Sequence, residues 1–517
     1  MFWNFVEVNP LNETMNLGFA LDYWAEQQPQ KIAVHTDSGS ISYAQLQEKS
    51  SRLAGLLQSM GLTAQDTVLL FMPSCMEYIA AFYAAAKQNL HIAPANAFCK
   101  SSELLQMIQM TRPKLALVAD DAQTDLLRSV DETLPALRID LQDPAFLALL
   151  DTQTPLYDFP GDLQQANVFV STSGSTGKLK FVSNTYQNEI LNAGLYLNRL
   201  RVTKDDVLLT GLPVTHKFGM AAMLGSCIAG CTMVMPSQFR AENMIRLIAQ
   251  FHVSVQYGVP TMYIREMEAC TAAECPPDIS SLRTGVIAGA PVSSDVFRWF
   301  EEYAGCRLLN CYGTSEIGGL TMTGFDDPPQ VRYATCGQVF SNASLEIVDG
   351  DGNPLPPGMT GEITGTVPWV MNGYVGEPEL TASMFDAQHR FLTGDVGRLD
   401  EAGNLVICGR KKNMIIRGGY NIFPAEVELA LLRYADLSEA CVMGYRDSGL
   451  GERICAFVKI KDGASKDPEQ IRDALKDHIA KYKLPDRILF MEELPKLPNG
   501  KFNYPALSAL LQENPPM

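Results

Sequence analysis

Ser171-Thr172-Ser173-Gly174-Ser175-Thr176-Gly177-Lys178-Leu179-Lys180 is the stretch on which the reading of this chain turns. Seven of its first eight residues are Ser, Thr or Gly. The run before it, Ala166-Asn167-Val168-Phe169-Val170, reads as a short buried strand. Small residues let a backbone approach an anion closely, and their N–H and hydroxyl groups can donate to it. Two lysines close the loop, so a polyphosphate is the expected ligand. A Walker A loop requires G-x-x-x-x-G-K-[ST]. Counting back from Gly177-Lys178 puts Thr172 where the first Gly should stand, and Leu179 takes the place of the metal-binding hydroxyl. The P-loop reading fails twice, leaving a phosphate loop of another kind or a Ser/Gly linker.

The chain has 517 residues, more than one domain normally holds, with 46% hydrophobic and 19% charged residues. A formal charge of −17 argues against nucleic acid as a partner. An anionic ligand must therefore be met by local lysines and arginines. Twelve cysteines lack a C-x-x-C pair or regular spacing, so reduced buried thiols are expected. Met1-Phe2-Trp3-Asn4 carries no basic, then apolar, leader pattern, and no run of about eighteen uncharged apolar residues suggests a membrane span. A soluble cytoplasmic protein is the expectation.

Apolar patterning predicts a helix over Leu46 to Met60 stopping at Gly61, a strand over Thr67 to Met72, a helix over Met76 to Ala86 and a strand over Leu115 to Val118. Strands at Val207 to Leu209, Thr232 to Met235, Val253 to Tyr257 and Thr284 to Ala288 continue the alternation, which argues for a layered α/β domain. The character changes after about residue 335. Ser344 to Asp349 followed by Gly350-Asp351-Gly352 reads as the first arm of a hairpin, and Leu405 to Cys408 as a strand. A helix is expected over Pro424 to Leu432, strands over Cys441 to Gly444 and Ile454 to Ile460, and a second helix over Pro468 to Tyr482. The expected fold class is α/β: a large multi-layer N-terminal domain, 1–410, and a small mobile α+β C-terminal domain, 411–517.

Several further motifs follow the loop in order. They are Pro213-Val214-Thr215-His216, Ala288-Gly289-Ala290-Pro291, Asn310-Cys311-Tyr312-Gly313-Thr314-Ser315-Glu316, Thr393-Gly394-Asp395 and Gly409-Arg410. Gly418-Gly419-Tyr420-Asn421-Ile422-Phe423-Pro424-Ala425-Glu426-Val427-Glu428 and Pro495-Lys496-Leu497-Pro498-Asn499-Gly500-Lys501 complete the series. Together the series resembles the adenylate-forming superfamily: acyl- and aryl-CoA synthetases, nonribosomal peptide adenylation domains and firefly luciferase. Each motif alone is weak, whereas the ordered set, spanning nearly the whole chain, is specific. The resemblance implies two half-reactions. A carboxylate attacks the α-phosphate of Mg-ATP, releasing pyrophosphate, and a pantetheine thiol of CoA or an acyl carrier protein then displaces AMP. Small carboxylic acids are the implied substrates.

The resemblance also implies roles, each compatible with residue type. Thr172 to Gly177, including Ser173, Gly174, Ser175 and Thr176, would donate to the β- and γ-phosphates, with Lys180 adding charge. Gly289, Ala290 and Pro291, and the Asn310-Cys311-Tyr312-Gly313-Thr314-Ser315 run, would form the nucleotide site. Tyr312 would offer a flat face to adenine, Asn310 its amide edge, and Ser315 a hydroxyl to the α-phosphate. Glu316 would hold Mg²⁺, a hard ion suited to carboxylate oxygen. Asp395 would accept from both ribose hydroxyls, with Arg410 reaching ribose or phosphate. Lys501 would bridge the carboxylate and α-phosphate, where a point charge gains value in the transition state. His216 would gate the acid pocket from the pantetheine tunnel, Lys412 would be the hinge, and Gly418-Gly419 would let the pantetheine arm approach.

Lys217 departs from amino-acid-activating relatives, which carry an Asp there to pair the substrate ammonium. Lysine would repel that group, and two readings stay open: it pairs a second anionic group on the acid, or it points to solvent. The loop also has Leu179 and Phe181 where Pro and Gly are usual. The expectation is therefore a carboxylate–CoA or carboxylate–carrier-protein ligase. The alternatives are a stand-alone amino-acid adenylation enzyme loading a carrier protein, a non-catalytic nucleotide-binding relative, and a luciferase-like oxygenase.

Overall fold

A computed structural model describes residues 17–157, 164, 167–173, 179–433, 437–447, 449–461, 467–476, 478–496 and 502–513. Six parallel strands form the middle of a nine-stranded sheet: Arg307–Thr314, Thr284–Ala288, Val255–Gly258, Val207–Thr210, Thr232–Met235 and Ile32–Thr36. Parallel neighbours need crossover connections. Helices Lys217–Ala229, Ala241–Phe251, Pro260–Ala272 and Ser294–Ala304 supply them. Antiparallel strands Gly318–Met322 and Gly39–Ser42 flank this block. A second sheet of seven strands runs from Gly373–Tyr374 through Leu179–Thr185, Asn167–Ser173, His91–Asn96, Thr67–Met72 and Leu115–Val118 to Ala136–Arg138.

The helices Met76–Lys87, Tyr186–Leu200 and Lys217–Ala229 are buried on nearly every face. Met76–Lys87 and Lys217–Ala229 are predominantly apolar, as suits a helix inside a molecule, whereas Tyr186–Leu200 also buries Asn188, Glu189 and Asn192. The apolar side chains of these helices join those of both sheets, such as Leu70 and Val170 from one and Leu208 and Tyr257 from the other, in one continuous core. The Lys217–Ala229 helix fits there because it is built of small residues. A Cβ at Gly219 would lie 2.3 Å from the Pro213 carbonyl oxygen.

Beyond these sheets, Ser344–Val348, Gly361–Thr366, Phe391–Leu399 and Leu405–Arg410 make an antiparallel sheet. The described residues between Ile415 and Leu511 have cores of their own. Along Gly451–Ile460, Ile454, Ala456 and Val458 pack with Val427, Leu431 and Ile471, while Cys455 and Phe457 pack on the opposite face with Leu494 and Leu507. That alternation is the period of two of a strand covered on both sides.

Most predicted elements stand within a residue or two: Thr67–Met72, Leu115–Val118, Thr232–Met235, Thr284–Ala288 and Pro424–Leu432 have the expected bounds. Three differ. The strand before the Ser/Gly loop extends to Ser173 and pairs antiparallel with Leu179–Thr185, Thr172 opposite Lys180. Thr172, Ser173 and Lys180 are thus ladder residues rather than loop. The Ser344–Val348 strand closes its turn through a bridge from Val348 to Pro354, but its full partner is the later strand Gly361–Thr366. The helix expected over Pro468 to Tyr482 ends at Leu475. The chain turns there so that Ile479 and Leu484 reach the same core and Tyr482 stacks on Tyr420 at 4.6 Å. All twelve cysteines are free thiols, eight of them buried.

Candidate active site

Ligands of open α/β sheets bind beyond the carboxyl ends of the parallel strands. At that edge lie Ala288, followed by exposed Gly289, Ala290 and Pro291, and the end of Arg307–Thr314. Asn310 donates its amide Nδ2 to the Thr335 carbonyl at 2.8 Å and its backbone N–H to Thr323 Oγ1 at 2.9 Å. Cys311 turns its thiol into the core, where burial pushes its pKa up. Gly313 faces Gly319 so closely that a Cβ would lie 2.1 Å from the Gly318 carbonyl oxygen. Thr314 Oγ1 accepts from the backbone N–H groups of Glu316 at 3.2 Å and Ile317 at 3.4 Å, fixing the turn on which Ser315 and Glu316 stand.

Tyr312, Asp395 and Arg410 meet, although 98 residues of chain separate the first from the last. The Tyr312 hydroxyl donates to Asp395 Oδ2 at 2.7 Å, and Arg410 Nε lies 2.8 Å from Asp395 Oδ1. Register explains the second contact, because Asp395 and Arg410 are cross-strand partners. Asp395 is only 5% exposed. Its backbone N–H donates to Thr393 Oγ1, which in turn donates to the Ile363 carbonyl. Burial, then the Asp395 charge, hold the Tyr312 hydroxyl well above the ordinary tyrosine pKa.

A second cluster joins Glu316 and Lys180 through Tyr374, a residue the sequence reading did not single out. The Tyr374 hydroxyl donates to Glu316 Oε1 at 2.8 Å, and the Lys180 ammonium sits 5.1 Å from the Tyr374 ring centroid. The strand pair Tyr374–Val182 brings them together. Burial, then Glu316, raise the Tyr374 pKa. No group of three or more His, Cys, Asp or Glu that could hold a metal is found among the described residues. Magnesium takes one or two carboxylates and completes its shell with water and phosphate oxygen, so Glu316 with its second oxygen fits such an ion.

His216 caps the Lys217–Ala229 helix after a turn in which its N–H donates to the Pro213 carbonyl at 3.1 Å. Lys217 does not point to solvent: it is buried, and its ammonium lies 2.7 Å from Glu189 Oε1, itself fully buried on the Tyr186–Leu200 helix. Nor is its charge left over for a second anion. Glu189 was missed because 28 residues and a helix boundary separate it from Lys217.

Arg410 ends its strand, and Lys411–Asn413 forms one 3₁₀ turn, with Lys411 Nζ 2.7 Å from Glu362. Lys412 is in that turn. Gly418 and Gly419, at φ 58° and 84°, are the two-residue loop between paired Arg417 and Tyr420. Positive φ at both positions is the type I′ hairpin requirement, which glycine meets without steric cost. Gly174, Ser175, Thr176 and Gly177, together with Lys178, and Lys501 lie outside the described residues.

The fold is mixed α/β, with a large N-terminal domain and a smaller C-terminal one. The family described as AMP-binding enzyme matches residues 21–375, and its C-terminal domain matches residues 426–501. The chain belongs to this adenylate-forming family and is an AMP-forming acid–thiol ligase by class. It is 30% identical to the medium-chain fatty-acid–CoA ligase of Escherichia coli (strain K12), over 93% of this chain and 88% of that one. It is 31% identical to the 2-succinylbenzoate–CoA ligase of Geobacillus kaustophilus (strain HTA426), over 92% and 94%. Its fold matches the crystal structure of ATP-bound MatB from Rhodopseudomonas palustris with a TM-score of 0.87 at 26% identity, covering 97% of this chain and all of that one. No described helix is long and apolar enough to cross a membrane.

Proposed function

We propose that the chain joins a small carboxylic acid to the thiol of CoA or of a carrier protein's phosphopantetheine through an acyl-adenylate. In the first half, a carboxylate oxygen attacks the α-phosphorus of ATP, and the bond to the β-phosphate breaks to release pyrophosphate. In the second, the thiol sulfur attacks the acyl carbon and AMP leaves. The observation that carries this reading is buried Asp395, held by Tyr312 near the end of the Arg307–Thr314 strand and by its cross-strand partner Arg410. A buried carboxylate in that position is an acceptor for the ribose hydroxyls, with Tyr312 beside the base.

Glu316 would hold magnesium, which neutralises phosphate charge when bound. Lys180, with Thr172 and Ser173, would meet the phosphates. Lys501 would serve the adenylation half. His216, at the mouth of its helix, would separate acid from thiol, and Lys412 would be the hinge that exchanges Lys501 for the Gly418-Gly419 turn. The two curated relatives named above act on different acids by their names, so kinship alone does not choose the acid. The test is ATP–pyrophosphate exchange over a panel of acids, followed by thioester formation with CoA and with phosphopantetheinylated carrier. Exchange with no acid of any class would overturn the reading.

A further inference from the structure

The segment from Trp369 to Tyr374 ties together the two sheets that carry the candidate ATP residues. Toward the nine-stranded sheet it meets the hairpin on which Glu316 stands. The indole N–H of buried Trp369 donates to the Gly319 carbonyl at 3.1 Å, and the Met371 backbone N–H donates to the Glu316 carbonyl at 2.7 Å. The Tyr374 hydroxyl completes this hold at Glu316 Oε1, 2.8 Å away. Toward the seven-stranded sheet it meets Asn167–Ser173 and Leu179–Thr185, the strands on either side of the Ser/Gly loop. The Asn372 backbone N–H donates to the Ser183 carbonyl at 2.8 Å, and its side-chain amide donates to Asn167 Oδ1 at 2.9 Å. Gly373 and Tyr374 then pair with Ser183 and Val182.

Both holds end on Tyr374. Val182 is its cross-strand partner, so Lys180, two residues from Val182, is its diagonal neighbour on the same face. That register accounts for the Lys180 ammonium lying 5.1 Å from the Tyr374 ring centroid, within cation–π range. The Tyr374 backbone is fixed as well, its N–H donating to Thr381 Oγ1 at 2.9 Å. The residue is 6% exposed, so the ring has little room to turn. A phenylalanine would face Lys180 equally well, and the hydroxyl is the part that needs another explanation. It holds one oxygen of Glu316 and leaves Oε2 for an ion. A long carboxylate side chain loses rotamer freedom when it is pinned, and a side chain pinned beforehand does not charge that loss to the ion.

Resting on the acid-activating reading above, we propose that Tyr374 is a positioning residue for the triphosphate site, its hydroxyl setting the Glu316 carboxylate for magnesium. The Trp369 to Tyr374 segment fixes the span between Glu316 on one sheet and Lys180 on the other. The effect of Tyr374 on the nucleotide runs through Glu316.

The experiment measures, by titration calorimetry, the Kd of AMP and the Kd of α,β-methylene-ATP, an analogue that cannot release pyrophosphate. The analogue is titrated with Mg²⁺ and again in EDTA, so no turnover enters the readout. The ratio of its Kd in EDTA to its Kd with Mg²⁺ reports the ion, and AMP reports the adenine and ribose contacts. Tyr374→Phe keeps the ring and removes the hydroxyl. Losing a partner that orients a metal ligand costs about 10- to 100-fold in metal affinity, so the ratio should fall by about tenfold or more while AMP binding stays within about twofold. Glu316 is only half-buried, so water can replace the lost donor and the variant is expected to fold, which thermal unfolding without ligand checks. In a Glu316→Gln background Tyr374→Phe should change the ratio no further, because two losses routed through one side chain do not add. An unchanged ratio in Tyr374→Phe, an equal loss of AMP affinity, or a full further loss in the Glu316→Gln background overturns the inference and leaves acid activation standing. A ratio near one in the unmodified protein takes the ion away from Glu316 and overturns it too. If the unmodified protein binds neither AMP nor the analogue, the acid-activating reading falls and this inference with it.

Discussion

Replacing Asp395 by Ala should separate its structural work from its work on ATP. The side chain is buried, with one oxygen accepting from Tyr312 at 2.7 Å and the other facing Arg410 at 2.8 Å. Its loss leaves the Tyr312 hydroxyl buried without that acceptor, which costs about 1–3 kcal/mol. The Arg410 contact adds little, about 0–1 kcal/mol, because half of the Arg410 side chain is in solvent. Nucleotide affinity should fall separately. Hydrogen bonds from ribose hydroxyls to a charged acceptor contribute about 1.5–3 kcal/mol. At about 1.4 kcal/mol per tenfold, that is a Kd for ATP raised by roughly 10- to 150-fold. Titration calorimetry with ATP reads the second effect and thermal unfolding without ligand reads the first. Tyr312→Phe is the control, since it keeps the ring and removes one donor to Asp395. Its ATP affinity should fall less than that of Asp395→Ala. If Asp395→Ala binds ATP as tightly as the unmodified protein while being less stable, Asp395 holds the strand end together and does not read the ribose.

Other outcomes are expected. Lys501→Ala should abolish pyrophosphate exchange yet keep thioester formation from supplied acyl-adenylate, while Lys412→Pro, with φ fixed near −65°, should do the reverse; single-turnover assays of each half are the check, and equal loss of both halves in Lys412→Pro would refute the hinge. Glu316→Gln should raise the magnesium concentration needed for half-maximal exchange by about tenfold or more, and an unshifted magnesium titration would refute its role. Glu266 is fully buried, and desolvation pushes its pKa up to about 8 despite hydrogen bonds from Gln256. A carboxyl whose folded pKa exceeds its unfolded one stabilises fully below the unfolded pKa, near 4.5, and that stability is lost as pH rises toward 8. Denaturant unfolding between pH 5 and 8 should show this decline, on the order of a few kcal/mol, and Glu266→Gln should flatten it; an identical slope in the variant would assign the decline elsewhere.

Elements whose burial is set by one local apolar run were legible in the sequence. Thr67–Met72 and Thr284–Ala288 have the expected bounds because each is apolar and flanked by turn residues. The Ser/Gly stretch misled by composition. Ser171, Thr172 and Ser173 read as loop, but a small or β-branched hydroxyl residue is also at home in a ladder, and the partner strand Leu179–Thr185 supplies the pairing. The short helix Pro468–Leu475 misled for the opposite reason. Its helical periodicity continues past Leu475, but the core that Ile479 and Leu484 join decides where the chain turns.

The site divides along the same line. Asp395 and Arg410 were found by the motifs around them, and strand register then placed them side by side. Tyr374 and Glu189 had no such motif. Tyr374 acts through a hydroxyl on Glu316, 58 residues away, and Glu189 through one oxygen on Lys217, on another helix. Read alone, Lys217 is a cation looking for an anion in the substrate or in water. With Glu189 it is one half of a buried ion pair. A single side chain's charge can be read from its letter, but a pair's net charge and its unsatisfied atoms exist only after folding. The residues expected to serve ATP could be named because they stand inside motifs, whereas Lys217 and Glu189 meet only between two helices, so the sequence spoke for the reaction class and not for that pair.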